Sequence, residues 1–182
     1  GENVKALAVS LYSEGVMAND RIAAFLNAAS EDVLELSEGS IYGFCKKMAQ
    51  NSTASILTLE ENLLNQSTVA TDATPVTVNG KQNYIRNFST KDTVVYHAMS
   101  SKSIEALKKI DFLNNYSGML LHDHETALYH FGTDHAECNV HIIRYLRKNT
   151  EETGNKWSKE MISLLCDMNK ARKKLIKQER TG

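Results

Sequence analysis

The sequence predicts an α/β (α+β) protein: a mixed sheet in the order β-β-β-α-β-α-β-α, with a helical region before it and a helical extension after it. Three observations carry that prediction. Residues 1–66 repeat apolar side chains at helical spacing. Residues 67–99 are rich in Val and Thr, the strand-forming types, and contain Asn79-Gly80, the strongest short hairpin signal. Beyond them, short apolar runs alternate with amphipathic segments, the pattern of a sheet flanked by helices.

In the helical region (residues 1–66), "VKALAVSLY" places Val4, Leu7, Ala8 and Leu11 at helical spacing, and "NDRIAAFLNAA" does the same with Ile22, Phe25 and Leu26. Asn19 or Asp20 is the expected cap of that second helix. Ser37 is the expected cap of a third, in which Ile41, Phe44, Cys45 and Met48 form an apolar stripe. "STASILTLEENLLNQ" adds a fourth helix with Ile56, Leu59, Leu63 and Leu64. Two short helices, the second opening on a Ser cap, fit either plain helix packing or a DNA-reading helix-turn-helix. The segment "NAASEDVLEL" between them is longer than the usual turn of about 3–4 residues.

In the sheet region (residues 67–149), "STVATDATPVTV", "KQNYIRNFS" and "TVVYHAM" form an antiparallel meander. Pro75, the only proline, predicts a bulge or an edge in the first strand. "SKSIEALKKI" reads as a short amphipathic helix, "GMLLHD" as a buried strand, "ETALYHF" as a helix, "HAECN" as a brief strand or turn, and "VHIIRYLRKN" as a helix. From residue 150 on, one or two long helices are expected. Trp157, Met161, Leu164, Leu165 and Met168 recur there as a stripe fit for a core or a helix–helix contact.

Composition bounds the function. Hydrophobic residues are 42% and charged residues 24%, and the net charge is -1, so no global basic field announces a nucleic-acid partner. Charge is uneven: "NKARKKLIKQER" sets Lys170, Arg172, Lys173, Lys174, Lys177 and Arg180 against Glu179. That is a solvated helix face or a phosphate-contacting patch. Three cysteines without framework spacing suit a reducing cytoplasm, and no apolar run approaches the roughly 20 residues of a membrane helix.

Asp72 lies mid-strand, where Asp is disfavoured. Asp123 ends a buried strand, the place where open α/β sheets put their sites. In this element order the first and fourth strands can be neighbours, which brings the two carboxylates together. They are then either surface aspartates or a pair around a cation, with hard oxygen ligands suited to Mg²⁺ or Mn²⁺. If "LLHDH" is extended, His122 and His124 point away from Asp123. Cys138 and His141 have zinc-like spacing, but a structural zinc needs four ligands and only His135 offers a third. A structural role beside the sheet centre fits them better than zinc.

"VKALAVSLY", "RIAAFL", "LSEGSIYGFCKKMA", "VNGKQNYI", "GMLLHDHETALYHFGTDHAECNVHIIRYL" and "GNKWSKEMISLL" together resemble, in collinear order, the transposases of the insertion sequence 66 family. The resemblance implies a ribonuclease-H-like fold, a DDE carboxylate triad, Mg²⁺ or Mn²⁺, and DNA as partner, at both transposon ends and target. It matches Asp72 to the first catalytic carboxylate, Asp123 to the second, and Cys138 and His141 to a C-x-x-H signature beside the site. In the intact enzyme Asp72 would bridge two metals and Asp123 hold one, for hydrolysis at a transposon end and attack of the freed 3′-hydroxyl on target DNA. A homo-oligomer is expected in the active complex.

The departures are specific. Ala73 replaces the usual Glu, Glu125 an aromatic, and Tyr145 a frequent Glu. The third carboxylate belongs to an Asn-Asn-x-Ala-Glu-Arg stretch that this sequence does not contain, and the family's N-terminal zinc-binding segment is missing too. Residues 150–182 resemble the start of the helical insertion that precedes the third carboxylate. The expectation is a central fragment or truncated copy, inactive alone, with Glu125 or Glu137 as the only stand-ins. Two rivals stay open: a non-catalytic DNA-binding protein using the N-terminal helices and basic tail, and a zinc-stabilised interaction module.

Overall fold

The computed structural model describes residues 1–179, with side chains of the last helix through Ile176. The chain divides into two compact units, Gly1–Thr58 and Leu59–Gly182. The basic side chains of Lys177 and Arg180 lie outside the described residues.

The first unit packs α1 (Glu2–Ser13), α2 (Asn19–Ala29) and α3 (Glu38–Asn51) around Ala8, Ile22, Ala23, Leu26 and Ile41. These are the predicted stripes, narrowed: Leu7, Phe25 and Met48 stay exposed. Ser37 caps α3 as expected. Its hydroxyl accepts from the Ser40 N–H at 3.2 Å, and its own N–H donates to Ser40 Oγ at 3.3 Å, so two orphan donors are satisfied reciprocally. α2 differs. Its cap position is Ala18, and neither Asn19 nor Asp20 caps it; Asp20 instead places its charge in the first turn, favourable to the helix dipole. Residues 30–37 connect α2 to α3. Asn27 brackets this connection, donating to Leu36 O and accepting from Leu36 N–H, both at 2.9 Å.

The last turn of α4 (Thr53–Leu64) belongs to the second unit, where Leu63 is buried. The sheet there has strands β1 (Thr68–Val78), β2 (Lys81–Ser89), β3 (Val94–Met99), β4 (Met119–His122) and β5 (Asp134–Glu137), in the order β3-β2-β1-β4-β5. β1–β2 and β2–β3 are antiparallel; β1–β4 and β4–β5 are parallel. Asn79 and Gly80 have φ of 51° and 73°, so both turn residues are left-handed as a two-residue type I′ hairpin demands. The β1–β2 register runs unbroken from Ala70↔Ser89 to Val78↔Lys81, so Pro75 makes no bulge. It meets an edge instead: β4 pairs with β1 only as far as Ala70, and beyond that the missing N–H of Pro75 costs no ladder bond.

One face of the sheet is the core. Val69, Phe88, Val95, Met99 and Leu120 pack there with Leu63, α5 (Ile104–Leu107), α6 (Asp111–Asn115) and Leu128. The opposite face carries Ala70, Asp72, Asn87, Leu121 and Asp123, where α7 (Asn139–Thr153) begins.

The predicted helix over residues 101–110 is only α5, four residues long, and α6 follows it unforeseen. The predicted helix in "ETALYHF" is a single 3-10 turn, Thr126–His130, because left-handed His124 and Gly132 close the chain on either side. The tail is one helix, α8 (Lys156–Glu179). Its stripe is not core: Trp157 is 54%, Leu164 52% and Met168 60% exposed. Of the stripe Leu165 alone is partly buried, and it shares the more buried side of α8 with Ser158 and Ile162. Among the described residues no helix is long and apolar enough to cross a membrane.

Candidate active site

β1 and β4 are adjacent and parallel, and their last registered pair is Ala70↔Leu121. Two residues further along each strand lie Asp72 and Asp123. Both line one cavity of about 170 Å³, with Ala70, Thr71, Asn87, Ser89, Leu121, His122, Cys138 and His141. Alternation along β1 puts Asp72 on the face opposite buried Val69, Thr71 and Ala73. Asp72 is held locally: its N–H donates to Asn87 Oδ1 at 3.1 Å, and its Oδ1 accepts from the Ala73 N–H at 2.8 Å. Asn87 sits directly across the ladder from Asp72. The pairing of first and fourth strands expected from the element order is therefore what brings the carboxylates to one opening.

The histidines divide by face. His122 is 1% exposed and turned into the core side, where Nε2 lies 3.2 Å from His135 Nδ1 and the ring packs edge-on to Tyr129. Burial, with the neighbouring His135, holds the His122 imidazole below its ordinary range, in the neutral form. His124 lies past the strand end at φ 68° and pairs with Glu137, which also accepts from Tyr129 Oη at 3.1 Å. The hydrogen bond from His124 holds the Glu137 carboxyl below its usual range. Cys138 and His141 line the Asp72–Asp123 cavity at the start of α7, and the Cys138 N–H donates to His122 O at 2.8 Å, tying α7 to β4. All three cysteines are free thiols. Among the described residues no group of three or more His, Cys, Asp or Glu is placed to hold a metal ion.

Neither stand-in carboxylate lines the cavity. Glu137 is engaged by His124, and Glu125 accepts from Arg86 Nη2 at 2.5 Å and meets Lys102 Nζ at 3.3 Å. The basic residues Lys170, Arg172, Lys173 and Lys174 are exposed along α8; Lys170 is paired to Asp167 at 2.9 Å.

Two features escaped sequence reasoning: Asn87 beside Asp72, and the buried Arg86. Arg86 had a signal. It alternates with Tyr84 and Phe88 on the core side of β2, and a charge in such a position requires a buried counter-charge.

The model of one protein family, described as "Transposase IS66 family", matches residues 1–181. No curated protein and no solved structure matches the chain. With this match over residues 1–181, the chain belongs to the IS66 family of transposases, which implies DNA as a partner.

Proposed function

We propose that this chain is the core of an enzyme that cuts and joins DNA ends, and that Asp72 and Asp123 hold its Mg²⁺ or Mn²⁺. One observation carries the reading: two carboxylates, each two residues past the last paired position of adjacent parallel strands, open into one cavity. The donor set fits such an ion. Mg²⁺ is commonly bound by one or two carboxylates and completes its shell with water and substrate phosphate. Held by Asp72 and Asp123, such an ion would supply Lewis-acid chemistry, favouring the attacking oxygen and the departing one in phosphoryl transfer. The sheet order β3-β2-β1-β4-β5 supports reading the unit as ribonuclease-H-like.

The chain's own residues supply positioning. The Ala73 amide and Asn87 fix Asp72 on its strand, while the Cys138–His122 hydrogen bond fixes α7 beside Asp123. Cys138 and His141 form the cavity wall. The exposed basic residues of α8 offer phosphate contacts. Joining two ends calls for more than one copy, so the active complex is read as a homo-oligomer.

Two carboxylates line the cavity, and both other candidates are held elsewhere. The 182-residue chain alone is therefore predicted to cleave no DNA. Titration with Mn²⁺ followed by calorimetry tests the site: the chain should bind Mn²⁺, and Asp72→Asn and Asp123→Asn should each abolish or severely weaken binding. Mn²⁺ binding that both variants retain would refute the assignment.

A second reading rests on the exposed basic face of α8: DNA binding without catalysis. It predicts salt-sensitive binding that survives Asp72→Asn and needs no metal.

A further inference from the structure

We infer that Arg86 and Glu125 are positioning residues: a buried ion pair on the core face that joins the two carboxylate-bearing segments where their backbone pairing stops. The inference rests on the reading of Asp72 and Asp123 given above and extends it to side chains on the other face of the sheet.

Backbone hydrogen bonding between β1 and β4 ends at Ala70↔Leu121, short of both carboxylates. Arg86 spans that gap from the next strand. Its guanidinium is fully buried. Nη1 donates to Thr71 Oγ1 at 3.1 Å, and Nη2 donates to Glu125 Oε1 at 2.5 Å. Thr71 immediately precedes Asp72, and Glu125 follows Asp123 by two residues. One planar group thus fixes both segments, and a bidentate-capable, always-charged guanidinium is suited to doing so.

The chain bends to make this contact. In a continued strand Asp123 and Glu125 would share a face. The strand ends at His122, and His124 adopts φ 68°, which sends Asp123 to the cavity and Glu125 to the core. The position across the ladder from Arg86 is Ala73, which offers no anion, so Glu125 is the carboxylate that answers the buried charge. Lys102, itself 5.5 Å from the centre of the Tyr84 ring, balances the second Glu125 oxygen at 3.3 Å. Groups that orient metal-holding carboxylates from behind the site commonly control metal affinity.

The test compares the full chain with Glu125→Gln, Glu125→Ala and the double variant Ala73→Glu/Glu125→Ala, which places an anion at the register partner of Arg86. Mn²⁺ affinity is read by calorimetry and local order by amide hydrogen exchange, with Asp72→Asn as the control. Both single variants should weaken Mn²⁺ binding by about tenfold or more. They should speed exchange in residues 70–73 and 121–125 while the Phe88 and Val95 amides exchange as in the parent. The double variant should restore both readouts, and it keeps the test valid if Glu125→Ala folds poorly. Parent-like Mn²⁺ affinity in Glu125→Gln, with none in Asp72→Asn, overturns the positioning role and leaves the site reading intact. Exchange that rises uniformly across the sheet overturns it as well, because the pair is then only structural. No Mn²⁺ uptake by the parent overturns the site reading and this inference with it.

Discussion

Arg86 is the residue whose removal should cost most. Arg86→Leu leaves Glu125, whose side chain is 11% exposed, without its main partner. Breaking a buried pair on one side typically costs about 3–5 kcal/mol, whereas replacing both partners by apolar groups costs far less. Urea unfolding should therefore show a large loss for Arg86→Leu and a clearly smaller one for Arg86→Leu/Glu125→Leu. His122 makes a second prediction. Its folded pKa is depressed by burial, so the unfolded chain takes up protons first as pH falls. Stability should be level above about pH 6.5 and decline below it. His122→Leu should flatten that decline, measured as the urea midpoint between pH 7.5 and 5.5, with half-buried His97, also depressed, supplying what remains. At this scale the sequence pointed to Asp72 because it is a carboxylate within a strand, and to Asp123 because it directly follows one. It did not expose the partner of the buried Arg86. In the structure Ala73 lies across the ladder from Arg86, and Glu125 supplies the carboxylate that meets that charge.

Elements were legible wherever local chemistry decides them. The Asn79-Gly80 hairpin and the Ser37 cap are written in two or three adjacent residues, and both form as read. Ser37→Ala should cost about 1 kcal/mol, seen as a lower melting temperature of the first unit. Elements fixed by distant contacts were not legible. The residues Thr126–His130 have helical spacing, yet the need to turn Glu125 toward Arg86 and to enter β5 leaves room for one 3-10 turn. The stripe on α8 misled for the opposite reason: periodicity marks an apolar face but not what covers it. Because Leu164 is exposed, Leu164→Lys should change stability by no more than about 0.5 kcal/mol in thermal or urea unfolding. A larger loss would mean that the side chain is buried in solution.

For the whole molecule, topology does the work that no single motif could. An antiparallel meander followed by two parallel strands places β1 between β2 and β4, so Asp72 of β1 and Asp123 just past β4 line one opening. The element order in the sequence was enough to expect that neighbourhood; the length of β4 and the back-side ion pair were not readable, because both depend on packing across the sheet. Charge belongs to this scale too. If α8 binds phosphates, replacing Lys170, Arg172, Lys173 and Lys174 with Gln should weaken binding to duplex DNA. Its salt dependence should also become shallower, by a slope of roughly one for each phosphate that is no longer neutralised. The central claim is that Asp72 and Asp123 form one divalent-cation site. Anomalous diffraction from crystals soaked in Mn²⁺ tests it most directly. The predicted result is a Mn²⁺ peak coordinated by both carboxylates in the cavity walled by Cys138 and His141. A peak at His124 and Glu137 alone, or none between the two aspartates, would contradict it.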